Sequence, residues 1–264
     1  MLLARANIMM VGGVPAFSPE ADALFTRMTS QPNDARKTLI NNTIMALKAA
    51  GVWDKMDCLY FMAAHDSQAA GLNWKTRIPR YDLVPQNAPT FSVDRGFTGD
   101  GVSMYLDTGF QPGVSAGMLT QDNNSFHLFS LSSASSNAIE CGNNTNSFRV
   151  RSTTSRFETR DMTSAINPTQ VNVLTGLGMF SAARNNSATW RMDFNGAKLA
   201  DQAGASEAPV AVNTWILGRN VDGVLNTPTS RRVAMYGMGA YITEAECANL
   251  YSISTGYLQA VGAV

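Results

Sequence analysis

The sequence predicts a mainly β protein, an antiparallel sandwich with an α-helical hairpin before it and a short helix after it. Three observations carry this. In residues 188–194, Trp190, Met192 and Phe194 alternate with Thr189, Arg191 and Asp193, the period of a strand with one buried face. Asn195-Gly196 follows at once, and Asn-Gly accepts the positive φ angles of a two-residue hairpin turn, so 197–200 is the return strand. Between residues 125 and 184 short strand patterns recur at 126–131, 137–141, 147–151, 156–160, 171–175 and 177–183, separated by polar joints, as in a sandwich.

The helical elements rest on end signals. Ser18-Pro19-Glu20 gives a cap, a proline at the first helical position and an acid in the first turn. Ala21, Leu24, Phe25 and Met28 then fall on one face. A second helix starts after Pro32, with Asn33 or Ser30 as cap, carries Ile40, Ile44 and Leu47 as its stripe, and ends at Gly51. At the other end, residues 232–242 read as a strand. Thr243 and Glu246 then make a capping box, with Ile242 and Cys247 placed as a hydrophobic staple. Leu250, Ser254, Tyr257 and Val261 keep helical spacing beyond it. The continuous apolar run 57–64 predicts a buried strand, 103–108 and 214–218 are further strands, and 76–90, with Pro79, Pro85 and Pro89, is loop. The expected division is an extended arm over 1–17, the hairpin over 18–56, and the sandwich with its C-terminal helix over 57–264.

Composition narrows the function. The chain has 264 residues, 45% hydrophobic, enough for a sizeable core. Only 15% are charged, against roughly 25% in an average soluble protein. A formal net charge of +0 argues against a nucleic-acid partner or an anionic-membrane binder. So few charges give little repulsion between copies, which points to an assembly component. No apolar run is long enough to insert in a membrane. Cys58, Cys141 and Cys247 are far apart and read as buried thiols. With only His65 and His127 to join them, no metal centre and no cofactor are expected.

The order strand, Phe194-Asn195-Gly196 hairpin, Ile216-Leu217-Gly218, Gly239-Ala240-Tyr241-Ile242, Thr243 to Glu246, Leu250-Tyr251 resembles the C-terminal half of concanavalin A-like, or laminin-G-like, jelly rolls. Upstream, LKAAGVWDKMDCLYFMAAHDSQAAGLNWK, APTFSVDRGFTGDG and MYLDTGFQP together resemble virion proteins of tailed bacteriophages and prophages, over residues 21–108 and more weakly to the C-terminus. The resemblance implies a jelly roll with a helical hairpin in front. It also implies a non-enzymatic structural or adhesion role, tail-associated or as a surface or decoration subunit. It places the protein in a virion, made in the bacterial host cytoplasm, with other virion proteins as partners; the low charge and the apolar arm point to a homo-oligomer. A lectin-like module for host-surface glycans is the alternative.

Catalytic constellations are not expected. Jelly-roll glucanases set two glutamates on one strand face, and Glu158 with Asp161 lacks the second glutamate. His65-Asp66 and His127 have no nucleophile turn beside them. For glycans, Trp74 is expected to be the least buried of four tryptophans, beside Asn73, while the loops with Asp122, Asn123, Asn143 and Asn144 offer amide and carboxylate groups. Trp190 and Trp215, inside strand patterns, are expected in the core. Leu2, Leu3, Ile8, Met9 and Val11 give the arm an apolar surface without periodicity, expected to be buried between subunits.

Overall fold

The computed structural model describes residues 17–75, 81–164 and 171–264. The expected assembly arm, Leu2 to Val11, lies outside the described residues. Two helices open the chain, α1 (Pro19–Phe25) and α2 (Asp34–Ala49). Ser18 caps α1 and Asn33 caps α2, each accepting from a main-chain N–H of the first turn. Gly51, at φ 71°, ends α2 in a Schellman arrangement: its N–H bonds Lys48 O, and Val52 N–H bonds Leu47 O. Lys48 pairs with Glu20, and Ser18 N–H bonds Asn41 Oδ1 at 2.8 Å, closing α1 onto α2.

A short 3-10 turn (Trp53–Lys55) leads to β1 (Met56–Phe61), then α3 (Ser67–Gly71), β2 (Val84–Gln86), β3 (Thr90–Ser92), β4 (Gly96–Thr98), β5 (Tyr105–Asp107) and α4 (Pro112–Ser115). The middle of the chain gives β6 (Asn124–Leu131), β7 (Cys141–Gly142), β8 (Ser147–Arg149), β9 (Arg156–Arg160), β10 (Val171–Asn172) and β11 (Leu177–Arg184). Then come β12 (Thr189–Phe194), β13 (Ala197–Ala203), β14 (Trp215–Ile216), β15 (Arg219–Val221), β16 (Val224–Asn226), β17 (Arg232–Gly239) and α5 (Glu244–Ala260).

The strands form an antiparallel sandwich. One sheet has eight strands, in the order β13-β12-β11-β6-β17-β4-β3, with β1 also paired to β17. The other has seven, in the order β10-β9-β8-β7-β14-β5-β2. β17 meets β6 along one edge, while β1 and β4 share its opposite edge. Between the sheets, Phe157 of β9 lies 5.0 Å from Phe180 of β11. The other face of the larger sheet is covered by helices. Phe129 stacks on Tyr251 of α5, and Phe61 packs edge-on against Tyr257. The middle of the larger sheet is therefore buried on both faces, which is why 57–64 is continuously apolar rather than alternating: every residue of β1 is buried.

The local expectations at the C-terminal half are met in detail. Asn195 and Gly196 have φ of 51° and 74°, and Phe194 pairs with Ala197 across the turn. Gly196 is also required for space, since a Cβ there would lie 2.9 Å from Ala248 Cα and Tyr251 Cβ of α5. The Thr243–Glu246 capping box forms, and Ile242 and Cys247 are both buried. All three cysteines are buried, and none forms a disulfide. The hairpin and the sandwich share one continuous apolar core running from Ala21 to Leu258.

Candidate functional site

With helices on one side and the second sheet on the other, the middle of the larger sheet offers no face to a ligand. The smaller sheet keeps an outer face. Over it folds the β15–β16 hairpin, which turns at Asp222-Gly223 with φ of 50° and 87°. Asn144, in the turn after β7, pins the hairpin through Nδ2 to Asp222 Oδ1 at 2.8 Å. At the other end, Ile139 N–H bonds Thr227 O at 2.8 Å.

A cleft of about 130 Å³ lies between hairpin and sheet. Strand alternation aims its polar residues. On β8, Phe148 enters the core, so Arg149 points outward. On β9, Phe157 enters the core, so Glu158 and Arg160 point outward. β15 adds Arg219, β16 adds Asn226, and Thr227 closes the wall. Thr227 has φ 48°, an outlier for a β-branched residue, and such strain concentrates where a site needs a particular backbone path.

Three guanidinium groups share one carboxylate here. Arg149 Nη1 donates to Glu158 Oε2, and Arg219 Nη2 donates to Asn226 Oδ1 at 2.8 Å. Arg160 makes no side-chain hydrogen bond among the described residues. Burial lowers the Arg160 pKa, and Arg149 beside it lowers it further, against the opposing pull of Glu207. Arg219 is lowered by burial, then by Arg160 and Arg149. The cleft holds half-buried positive charge in excess of its own counter-charge, and an arriving anion relieves that repulsion.

The expected glycan residues do not gather. Trp74 is 2% exposed, its ring 4.4 Å from that of Phe61 and 5.6 Å from Tyr257, under α5. It has no face for a sugar, a correction to the sequence reading. Its neighbours Asn73 and Lys75 made the stretch look polar, but Asn73 is itself buried, with Oδ1 accepting from Leu59 and Lys75 N–H. Asn143 is buried too and holds its own turn, accepting from Thr145 and Asn146 N–H. Asp122 and Asn123 are exposed before β6, where Asp122 accepts from Ser206 Oγ and Asn123 from Tyr241 N–H. Trp190 and Trp215 are in the core, as expected.

Nor does a triad form. His127 Nδ1 lies 2.9 Å from Ser181 Oγ and Nε2 lies 3.0 Å from Ser125 Oγ, but all three residues are fully buried between the sheet and α5. Burial lowers the His127 pKa to about 3, helped by Arg191, so the ring is neutral. His65 bonds Ser30 O and pairs with Asp66, which caps α3. Glu158 and Asp161 point to opposite sides, one into the cleft and one between the sheets. Among the described residues no group of three or more His, Cys, Asp or Glu could hold a metal, and no helix is long and apolar enough to cross a membrane.

No protein-family description and no curated protein matches the sequence. Solved structures do match in fold. A botulinum neurotoxin serotype D binding domain aligns at TM-score 0.50 and 8% identity, over 75% of this chain and 52% of that one. The receptor-binding domain of the C/D mosaic serotype aligns at 0.52 and 7%, over 75% and 51%. The serotype D ligand-binding domain in complex with N-acetylneuraminic acid aligns at 0.50 and 9%, over 78% and 52%. The chain spans about half the length of these toxin domains. At such identities the likeness concerns the fold, and the chain shares with them an antiparallel β-sandwich.

Proposed function

We propose that this protein is a non-enzymatic recognition module that binds an acidic glycan in the cleft of Arg149, Arg160 and Arg219, as an adhesion subunit of a tailed-phage particle. The observation that carries the reading is the surplus of guanidinium over carboxylate in a partly desolvated cleft. Guanidinium forks match carboxylate and sulfate oxygens in geometry and charge. A cleft of about 130 Å³ suits the acidic end of one sugar rather than a long polysaccharide. A toxin domain of the same fold is in complex with N-acetylneuraminic acid, which carries a carboxylate. The virion setting rests on the sequence resemblance over residues 21–108.

A binding role also fits the chemistry of the lining. Hydrolysis by paired carboxylates needs two, and among the described residues Glu158 is the one carboxylate that lines the cleft, already bonded to Arg149.

A glycan array carrying sialylated, uronate-containing, sulfated and neutral sugars tests the reading. Binding confined to acidic sugars, weakened by salt and lost in the Arg160→Ala, Arg219→Ala double variant, is expected. Equal retention on neutral sugars overturns it, as does silence across the array, which leaves a purely structural subunit.

A further inference from the structure

Asp161 follows directly after β9 and turns inward, between the sheets. It is 0% exposed, and among the described residues neither carboxylate oxygen has a hydrogen-bond partner. Arg184 of β11 forms a long ion pair with it, Nε 3.9 Å from Asp161 Oδ1, beyond hydrogen-bonding distance. The guanidinium is committed elsewhere. It donates to the main-chain oxygens of Asp161, Asn186 and Gly204. Arg184 thus ties three segments together and leaves the acid group of Asp161 unserved.

The surroundings hold polar atoms of both kinds without partners. Asn124 lies directly opposite Arg184 on β6, and Trp190 sits beneath the Arg184 guanidinium, 5.2 Å away. Gln202 is opposite Trp190 on β13. Asn124 Oδ1, Trp190 Nε1 and both amide atoms of Gln202 are buried and unpaired. An ionised carboxylate in such a place is costly, because no hydrogen bond replaces those of the water it has lost and Arg184 attracts it only from 3.9 Å.

We infer that Asp161 is a buried proton switch: in its neutral form it lets the end of β9 close onto β11, and on ionising it opens that corner to water. Among the described residues, Arg184 is the charged group acting on Asp161, and Asp122, before β6, acts in turn on Arg184. On the adjoining segments, Arg160 and Glu207 act on each other. Burial raises the Asp161 pKa from 3.8 to about 7, with Arg184 opposing, so the switch sits in the neutral range. The corner is made of Met162 at φ 48°, whose O accepts from Glu207 N–H, Thr163 N–H bonded to Thr145 O, and Ser164 held by the Glu207 carboxylate. Arg160 of the cleft is the residue before Asp161, so loosening this corner weakens anion binding as pH rises through 7. That last step rests on the reading of the cleft; the switch itself does not.

The sign follows from proton counting. Between pH 3.8 and about 7 the folded chain keeps a proton that the unfolded chain has released, so raising the pH favours unfolding. The test is the unfolding constant of the wild type against Asp161→Asn, by urea titration from pH 4 to 8. Near pH 4 the two are expected to be alike. The wild type then loses about tenfold per pH unit relative to the variant, reaching roughly a thousandfold by pH 8. A ratio that does not change with pH, or a variant that becomes the less stable partner as pH rises, overturns the inference. Should Asp161→Asn fail to fold, aspartate carboxyl ¹³C shifts of the wild type decide. A carboxyl titrating near pH 7 supports the switch, and none titrating above pH 6 overturns it. Absence of this pH-dependent divergence refutes the switch. The divergence without any change in glycan affinity refutes only its link to the cleft.

Discussion

Arg149 on β8 and Glu158 on β9 stand directly opposite each other across the strand pair, and Arg149 Nη1 donates to Glu158 Oε2. The pair neutralises one of three guanidinium groups and leaves Arg160 and Arg219 to act on a ligand.

Glu158→Gln should therefore strengthen acidic-sugar binding. Removing the competing carboxylate is expected to raise affinity about three- to tenfold, the scale of a partly exposed ion pair of about 1 kcal/mol. Calorimetric titration with a carboxylated sugar, beside its neutral counterpart, checks this. Unchanged affinity would mean that Arg149 takes no part.

Trp74→Ala should act on stability and not on recognition. The ring is packed between Phe61 and Tyr257. Its loss is expected to cost about 3–5 kcal/mol in urea unfolding, with sugar affinity of the folded fraction unchanged.

Arg231→Ala should be among the most damaging single changes. Arg231 Nη1 donates to the buried Glu140 Oε1 at 2.6 Å, and its other terminal nitrogen holds Ala134 O and Arg151 O. Burial raises the Glu140 pKa while Arg231 holds it down, so the variant leaves an uncompensated buried acid. A loss of about 3–5 kcal/mol is expected, and lowering the pH, which protonates Glu140, should recover part of it.

His127 gives a pH dependence opposite in sign to that of Asp161. Its folded pKa of about 3 lies below the ordinary 6.5, so the unfolded chain takes up a proton that the folded chain refuses. Stability should fall by about 1.4 kcal/mol for each pH unit below 6.5, down to about 3. A His127→Gln variant that still folds should lack this slope. In the wild type the two buried groups offset each other between about pH 4 and 6.5, and each becomes visible when the other is replaced.

Much of the fold could be read from the chain because its signals are local. Ser18, Asn33, Gly51, Asn195-Gly196 and the Thr243–Glu246 box each settle a turn or a helix end within a few residues. The cleft could not be read so easily. Arg149 and Arg160 sat inside predicted strands, and their meeting depends on the register Ser147 to Arg160, which no local pattern supplies. Arg219 joins them only because 219–226 folds back over the sheet. That hairpin has a signal of its own, Asp222-Gly223 between Val221 and Val224. Trp74 failed for the opposite reason. Polar neighbours suggested exposure, but Asn73 uses its amide to bond the backbone of β1, so the whole stretch is drawn inward. The helical hairpin is too small to hold a core alone, and α2 packs along α5, because neither buries its apolar stripe alone.

The central position of β17 has a consequence for synthesis. β6 lines one of its edges, and β1 and β4 divide the other, so all three wait for residues 232–239 before the larger sheet can close. A ribosome reaches those residues only after every other strand of both sheets has been made. Until then β1 and β6 are apolar segments with unpaired edges, separated from their partner by more than a hundred residues. Such non-local pairing gives slow folding, on the order of milliseconds to seconds or longer. During that interval the nascent chain is most exposed to self-association, and holding chaperones should matter most to its yield.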